Sequence, residues 1–237
     1  LRPRKGTNEG RSTAGRPSYV FDLCTQCVHS FDTCGSSRLL VERSIYPDFV
    51  AKLAERSKKM VPGDPMDPKT RLGAIVSEKQ MQSVLGYVEQ GVKEGATLVA
   101  GGLRQPINGK GWFVQATVLA DVKNDMRVAQ EEIFGPVLAV IPFDDVDDAV
   151  RIANDVPYGL ASGVWTRDVK KAHGVARRLQ AGTVWVNMYN FYDAGMPFGG
   201  YKQSGFGREL GREGLHGYLE TKAVHMALAL PTGGVLP

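Results

Sequence analysis

The sequence predicts an α/β fold in which helices cover a parallel sheet. From residue 97 onward, short segments of strand-forming residues alternate with amphipathic segments. The segment 137–143 is an almost continuous apolar run, which is typical of a strand that is buried on both faces. Two strand–helix–strand units follow from it, and such crossovers favour parallel neighbours in one sheet.

The composition is that of an ordinary globular protein. Of 237 residues, 43% are hydrophobic and 23% are charged, which excludes a disordered chain, a collagen-like repeat and a coiled coil. No stretch approaches the roughly 18 consecutive apolar residues that a membrane-spanning helix needs, so we expect no membrane partner. The first residue is Leu rather than Met, from which we expect a fragment or a processed product.

The net charge of +4 is concentrated at the amino terminus. The first 16 residues contain five basic residues and one acidic residue, Glu9, and the rest of the chain is balanced. Because a nucleic-acid-binding protein needs a basic surface on its folded body, we expect no nucleic-acid partner. The basic leader is either an unstructured extension or the remnant of an Arg-rich transit peptide.

The first half of the chain is predicted to contain one strand and two helices, at 38–42, 47–60 and 77–95. Residues 1 to about 30 are predicted to be irregular, because their isolated apolar residues follow no lasting period. Ser77 is a favourable N-cap with Gln80 three residues later, and Gly95 suits the left-handed residue that ends a helix. A proline- and glycine-rich loop follows the first helix, at 62–68.

The second half alternates between the two types of element. Strands are predicted at 97–100, 113–119, 137–143, 163–166 and 183–187. Helices are predicted at 145–154 and 168–179, where the apolar residues recur at helical spacing.

The three cysteines lie close together in the chain, at Cys24, Cys27 and Cys34. Cys24 and Cys27 form a CxxC pair, which is compatible with a zinc half-site or a redox pair. A zinc site needs two more ligands, whereas the four histidines are scattered singly, so we predict no metal site. No cysteine follows Cys34, which favours a reducing, cytoplasmic location.

Two segments carry more polar chemistry than a fold alone requires. Residues 131–136 place two carboxylates and an aromatic residue directly before the buried strand. Residues 197–209 contain four glycines, which allow tight turns or a close approach to another surface. The segment 197–209 has two possible interpretations, a close-packed structural loop and a phosphate-binding loop. The strand–GxGxxG–helix order of a dinucleotide-binding loop is missing from it.

Five segments together resemble the aldehyde dehydrogenase superfamily, in family order over about 200 residues. They are 37–41, 131–137, Asn154 with 157–160, 181–187 and 197–211. The resemblance is to the half that carries the catalytic domain. It implies a parallel sheet with helices on both faces, followed by a terminal oligomerisation strand.

The resemblance implies oxidation of an aldehyde to a carboxylic acid with NAD or NADP as cofactor. In the family, a cysteine thiolate attacks the carbonyl carbon to give a thiohemiacetal, and the resulting thioester is hydrolysed. Cys34 is the matching nucleophile. It precedes Arg38 by four residues, whereas the family spacing is five, and an ordinary small buried thiol is the alternative interpretation.

Four further site residues are carried over from the family pattern. Glu132 is expected to accept hydrogen bonds from the nicotinamide ribose, and Phe134 to pack near the nicotinamide ring; a strand-entry carboxylate and a core aromatic are the structural alternatives. Phe191 and Phe198 are expected to line the aldehyde tunnel, which favours an apolar or aromatic substrate. Loop aromatics can equally pack against a neighbouring subunit.

The resemblance also implies a division of the chain into a divergent or disordered leader, a catalytic domain and an oligomerisation segment, at 1–33, 34–215 and 216–237. The cofactor domain of the family is expected to lie outside this sequence. The segment 12–17 is the nearest match to the family motif that carries the general-base glutamate, and it has Ser12 at the position of that glutamate. The expected partners are a small aldehyde and further copies of the chain, as a dimer or tetramer. The alternative is a non-catalytic, truncated fragment that acts only in subunit association.

Overall fold

The computed structural model describes residues 37–228 and, for the strand Val20–Cys24, the backbone. Its strands, numbered in chain order, are β1 (Val20–Cys24), β2 (Arg38–Glu42), β3 (Thr97–Ala100), β4 (Thr117–Ala120), β5 (Val137–Phe143), β6 (Tyr158–Gly159), β7 (Ala161–Trp165), β8 (Thr183–Val186) and β9 (Tyr201–Lys202). Its helices are α1 (Tyr46–Lys58), α2 (Glu78–Lys93), α3 (Arg127–Gln130), α4 (Val146–Asn154), α5 (Val169–Ala176) and α6 (Gly211–Gly214), and a short 3-10 helix follows at Leu215–Tyr218.

Seven of the described strands form one sheet in the order β3-β4-β5-β2-β1-β7-β8. Strands β2 and β4 both pair in parallel with β5, and β7 pairs in parallel with β8. The α/β fold with a parallel sheet is therefore confirmed. The sheet also has two antiparallel members, since β3 runs against β4 and β1 runs against both of its neighbours.

Strand β1 corrects the prediction of an irregular segment up to about residue 30. It lies in the middle of the sheet, between β2 and β7, and pairs along its length with both. The strand β7, with which it pairs, is far away in the chain. Its five residues are also too few to show a hydrophobic alternation reliably. The backbone hydrogen bonds that define this strand are therefore long-range, and local patterning does not indicate them.

Helices cover both faces of the sheet, as predicted. On one face, α1 packs against residues of β2, β4 and β5 through Val50, Ala54 and partly buried neighbours. On the other face, α2, α4 and α5 contribute apolar side chains to the larger core cluster, among them Val84, Ile152 and Val175. Alternate residues of the central strands face the two clusters, because side chains along a strand point to opposite faces.

Side-chain N-caps are present at the starts of three of the predicted helices. The side chain of Ser77 accepts a hydrogen bond from the Gln80 amide, and Asp145 and Asp168 cap α4 and α5 in the same way. Gly95, with φ +107°, follows the end of α2. The strand that the sequence predicts at 113–119 begins only at Thr117, because the residues before it pair with a loop at 103–105 instead.

The last described residues continue past the 3-10 helix without forming a strand in this chain. Residues 219–228 are exposed, so the predicted pairing of this segment with another subunit stays a prediction. None of the helices in the described part of the chain is long and apolar enough to cross a membrane.

Candidate active site

The proposed nucleophile lies outside the described residues. Cys34 and Cys27 fall in the undescribed stretch before residue 37, and only the backbone of Cys24 is described, within β1. What the structure does place is β2, which begins at Arg38, four residues after Cys34.

Glu132 and Phe134 lie in the loop that joins α3 to β5. Phe134 has a left-handed backbone (φ +58°) and a side chain that is 51% exposed. Non-glycine residues rarely adopt this conformation, which costs free energy unless neighbouring groups impose it. The loop therefore presents an aromatic ring to the surface in a conformation that its surroundings must hold.

One face of α2 holds this loop in place. The side-chain amide of Gln80 donates hydrogen bonds to the carbonyl oxygens of Ile133 and Phe134, each at 3.1 Å. One turn further along α2, Val84 packs so closely against Gly135 that a Cβ atom there would lie 2.6 Å from the Cγ1 of Val84. Residues 80 and 84 share a helix face, so the loop lies along that face.

The two adjacent glutamates have different environments. Glu131 accepts hydrogen bonds from the hydroxyl of Tyr87 at 2.7 Å and from Nε of Arg127 at 2.8 Å. These contacts, the Tyr87 hydrogen bond first, lower the pKa of Glu131. Glu132 is half-buried, and burial raises the pKa of its carboxyl. Glu131 is thus held by hydrogen bonds to Tyr87 of α2 and Arg127 of α3.

A chain of aromatic rings begins at the carboxyl-terminal parts of β7 and β8, with Trp165 and Trp185, and continues into the loop after β8. The ring of Tyr189 contacts those of Trp165 and Trp185, with centroids 6.2 and 4.9 Å apart. Tyr192 continues the chain, at 5.7 Å from Trp185 and 5.2 Å from Phe198. The Trp165–Tyr189 pair is stacked and the other three pairs pack edge to face, and both geometries restrict the orientations of the rings.

The structure separates the two predicted tunnel residues. Phe198 is half-buried and packs against the cluster formed by Ala161 and Trp185. The side chain of Phe191 is 59% exposed, while its carbonyl oxygen accepts a hydrogen bond from Nε1 of Trp185 at 2.7 Å. Phe198 therefore belongs to the aromatic cluster, and Phe191 presents its ring to solvent beside it.

The glycine-rich segment folds as a close-packed hairpin. The amide of Phe198 donates to the carbonyl of Glu209 and the reverse bond also forms, both at 2.7 Å. A Cβ atom on Gly199 would lie 2.6 Å from the carbonyl oxygen of Gly207, and one on Gly182 would collide with the carbonyl of Gly199. These contacts show close backbone packing, which the interpretation as a structural loop expects.

The family model of the aldehyde dehydrogenase family matches residues 27–224 of this sequence. The chain belongs to the aldehyde dehydrogenase family. The matched range includes Cys34, Glu132, Phe134, Phe191 and Phe198.

Individual aldehyde dehydrogenases show the same relationship. The chain is 50% identical over 192 residues to a mitochondrial aldehyde dehydrogenase of Leishmania tarentolae, covering 81% of this chain and 38% of that protein. The NAD+ complex of an aldehyde dehydrogenase from Bacillus cereus is 47% identical with a TM-score of 0.80, covering 85% of this chain and 40% of that one. An indole-3-acetaldehyde dehydrogenase of P. syringae, solved with NAD+ and IAA, is 50% identical with a TM-score of 0.76, covering 80% of this chain and 38% of that one.

The chain thus spans about two fifths of the length of these aldehyde dehydrogenases. Within the described residues, no group of three or more His, Cys, Asp or Glu side chains is arranged to hold a metal ion.

Two residues that hold the candidate site in place, Gln80 and Arg38, were not predicted from the sequence. Gln80 was visible as a capping residue of α2, but its side chain reaches the loop at 133–134 instead of its own helix end. Arg38 is a charged residue, but it is fully buried together with the apolar residues of β2. A lone arginine in such a run was the one available signal, because buried cations need partners that only the tertiary structure supplies.

Proposed function

We propose that this chain is the catalytic-domain part of an NAD(P)-dependent enzyme that oxidises an aldehyde to a carboxylic acid. The observation that carries the proposal is the family match over 27–224, which contains the predicted nucleophile and both predicted cofactor residues in order. The mitochondrial relative and the bacterial structures are aldehyde dehydrogenases by name, at 47–50% identity.

The proposed chemistry begins at Cys34. Its thiolate adds to the carbonyl carbon of the aldehyde, the C–S bond forms and the carbonyl oxygen takes the negative charge, giving a thiohemiacetal. NAD(P)+, when bound, supplies the hydride acceptor. As the hydride leaves, the C–H bond of the thiohemiacetal carbon breaks and its oxygen re-forms the C=O bond, which gives the thioester. Water then attacks the thioester carbon, the C–S bond breaks, and the carboxylic acid leaves while the thiol is regenerated.

Glu132 and Phe134, on the loop between α3 and β5, have the chemical properties needed to bind a nicotinamide riboside. The half-buried carboxylate of Glu132 is an acceptor for two ribose hydroxyls, as the resemblance implies. Phe134, half-exposed on the same loop, offers an apolar surface for the ring. The constrained backbone of this loop supports the proposal, because a preorganised acceptor binds with less loss of entropy.

We propose an apolar or aromatic aldehyde as the substrate class. Phe198 and the rings packed with it form an aromatic surface, and the exposed ring of Phe191 adjoins it. The P. syringae relative acts on an indole aldehyde by name and was solved with IAA. The predicted cytoplasmic location stays a prediction.

The test is turnover by the purified chain with NAD+ or NADP+, across a panel of aliphatic and aromatic aldehydes. We expect reduced nicotinamide to accumulate with the wild-type chain and not with Cys34→Ala. Cys27→Ala is the matched control, and we expect it to retain turnover. Turnover that Cys34→Ala leaves unchanged would contradict the proposal, and absence of turnover in all three, under conditions where the chain is folded, would favour the association-only alternative.

A further inference from the structure

Arg38 has the largest fully buried side chain among the described residues. It donates to Oδ1 of Asn124 at 2.9 Å and to the carbonyl oxygens of Ile152 and Ala153 at 3.3 and 3.1 Å. The two carbonyls belong to the last turn of α4, whose C-terminal end carries partial negative charge. Burial lowers the pKa of Arg38 to about 10, an effect that nearby Asp155 opposes.

The first connection from this cation leads to the proposed cofactor loop. The side-chain amide of Asn124 donates to the carbonyl of Asp155 at 2.7 Å and to its carboxylate at 3.0 Å. Gln130 donates from its side chain to the carbonyls of Asn124 and Asp155, at 2.5 and 3.0 Å. Gln130 ends α3 and lies two residues before Glu132, so this chain of hydrogen bonds joins the Arg38 site to that loop.

The second connection leads to the glycine-rich hairpin. Nζ of Lys202, in β9, donates to the carbonyls of Asn154 and Val156, at 2.5 and 3.1 Å. The carbonyl of Asn154 directly follows those that Arg38 contacts, and that of Val156 lies two residues further along. Burial and the charge of Arg38 both lower the pKa of Lys202, which agrees with two cations sharing one helix end. The hairpin carries Phe198, so this link reaches the proposed substrate side.

We infer that Arg38 is a positioning residue: by fixing the turn at 152–156, it sets where the Glu132 loop and the Phe198 hairpin lie relative to each other. The inference rests on the proposed function for the roles of those two segments. The placement itself rests on the hydrogen bonds of the described residues. Both links end on the same short turn, and Arg38 is the buried charge that holds it.

Hydrogen exchange followed by mass spectrometry tests this in the full chain without substrate or cofactor. Arg38→Lys keeps the charge but loses the planar fork that reaches several acceptors at once. We expect exchange to become at least about tenfold faster in two separate segments, 127–137 and 197–209, and to stay unchanged in the β3–β4 region, 97–120. Arg43→Lys is the matched control, because that exposed arginine pairs with Asp144 at the surface; it should change neither segment.

Two further variants keep the test decisive if Arg38→Lys fails to fold. Gln130→Met removes the two side-chain hydrogen bonds of Gln130 that form the first connection, and we expect faster exchange in 127–137 alone. Lys202→Met cuts the second link, and we expect faster exchange in 197–209 alone. Both side chains lie at the periphery of the network, where an uncharged group of similar length can replace them.

Uniformly faster exchange over the whole chain in Arg38→Lys would overturn the inference, since it indicates a structural role only. Unchanged exchange in both segments would overturn it as well, and so would a single-link variant that affects both segments equally. Because exchange needs no turnover, these outcomes are independent of whether the chain oxidises aldehydes. If turnover is found, Arg38→Lys should raise KM for both cofactor and aldehyde, whereas each single-link variant should raise only one.

Discussion

At the scale of single residues, two adjacent, half-buried glutamates differ in the direction of their pKa shifts: hydrogen bonds, that from Tyr87 first, lower the pKa of Glu131, and burial raises the pKa of Glu132. Glu131 is held by Tyr87 and Arg127, whereas Glu132 is half-buried on the loop whose backbone Gln80 holds. An acceptor that is already oriented and partly desolvated suits a ligand with two hydroxyl donors. We therefore propose that Glu132 binds the cofactor and that Glu131 supports the loop.

Glu132→Gln should raise KM for the cofactor roughly tenfold to a hundredfold, because hydrogen bonds to a charged acceptor are worth about 1.5–3 kcal/mol. Glu131→Gln is the matched control and should change this KM by less than about threefold, since its partners lie on α2 and α3. Steady-state kinetics with varied cofactor measure both. Equal effects of the two substitutions would contradict the assignment.

The same assignment predicts a pH dependence. Burial raises the pKa of Glu132, so the carboxylate is lost at a higher pH than for an ordinary glutamate as the pH falls. KM for the cofactor should therefore rise as the pH falls through that raised value, and the rise should be absent in Glu132→Gln. A KM profile that is identical in the two proteins would show that another group titrates.

Tyr46 gives a prediction about stability. Its hydroxyl donates to the carbonyl of Val140 at 3.3 Å and accepts from the amide of Asp121 at 2.6 Å, and burial raises its pKa to about 12. Tyr46→Phe should lower the free energy of unfolding by about 1–3 kcal/mol, because it leaves buried backbone groups without their partner. Urea denaturation measures this. Tyr87→Phe, whose partner Glu131 keeps Arg127, should cost less than about 1 kcal/mol.

At the scale of elements, close backbone packing joins β8 to the glycine-rich hairpin. Gly182 has no room for a side chain, since a Cβ atom would collide with the carbonyl of Gly199. The amide of Gly182 also donates to the carbonyl of Gly159, in β6, at 3.1 Å. The start of β8, β6 and the hairpin therefore meet at this one glycine.

Gly182→Ala should lower the free energy of unfolding by roughly 2 kcal/mol or more, because the hairpin must move away from β8. Gly86→Ala is the matched control: Gly86 lies in α2 with open space around its Cα, so alanine should stabilise the chain by about 0.5–1 kcal/mol. Thermal and urea unfolding test both. A neutral Gly182→Ala would contradict the close approach.

The elements also show how far the sequence predicts this fold. Helices α2 and α4 follow from apolar periodicity and a capping side chain, and β5 from its apolar run, because these signals are local. Strand β1 does not, since its stability comes from pairing with β2 and β7. The same holds for the site: Glu132 and Phe198 stand in recognisable segments, whereas the partners of Arg38 are up to 115 residues away in the chain. No sequence window contains such a contact.

At the scale of the whole molecule, the carboxyl-terminal segment exposes apolar surface. Tyr218, Leu219, Val224, Met226 and Leu228 are 90%, 67%, 76%, 78% and 96% exposed. Apolar residues concentrated in one exposed segment mark interaction surfaces. We propose that this segment, 216–237, joins copies of the chain into a dimer or tetramer.

Removal of residues 216–237 should convert an oligomer into a monomer, which light scattering after size-exclusion chromatography measures directly. A full-length control, in which Leu219, Val224 and Met226 are replaced by Ser, should behave like the truncated chain, because it loses the apolar contacts while keeping its length. An unchanged mass in both variants would contradict a role of this segment in assembly.

The central claim is that Cys34 carries the substrate as a thioester. If the segment 12–17 corresponds to the general-base motif, as the resemblance implies, Ser12 replaces its glutamate, and hydrolysis of the thioester should then be slower than its formation. The most direct measurement is therefore peptide mapping by mass spectrometry after acid quenching of the chain mixed with aldehyde and NAD(P)+. We expect an acyl group on the peptide that contains Cys34, dependent on the cofactor and absent from Cys34→Ala. An acyl group on Cys24 or Cys27 instead, or none on any cysteine, would contradict it.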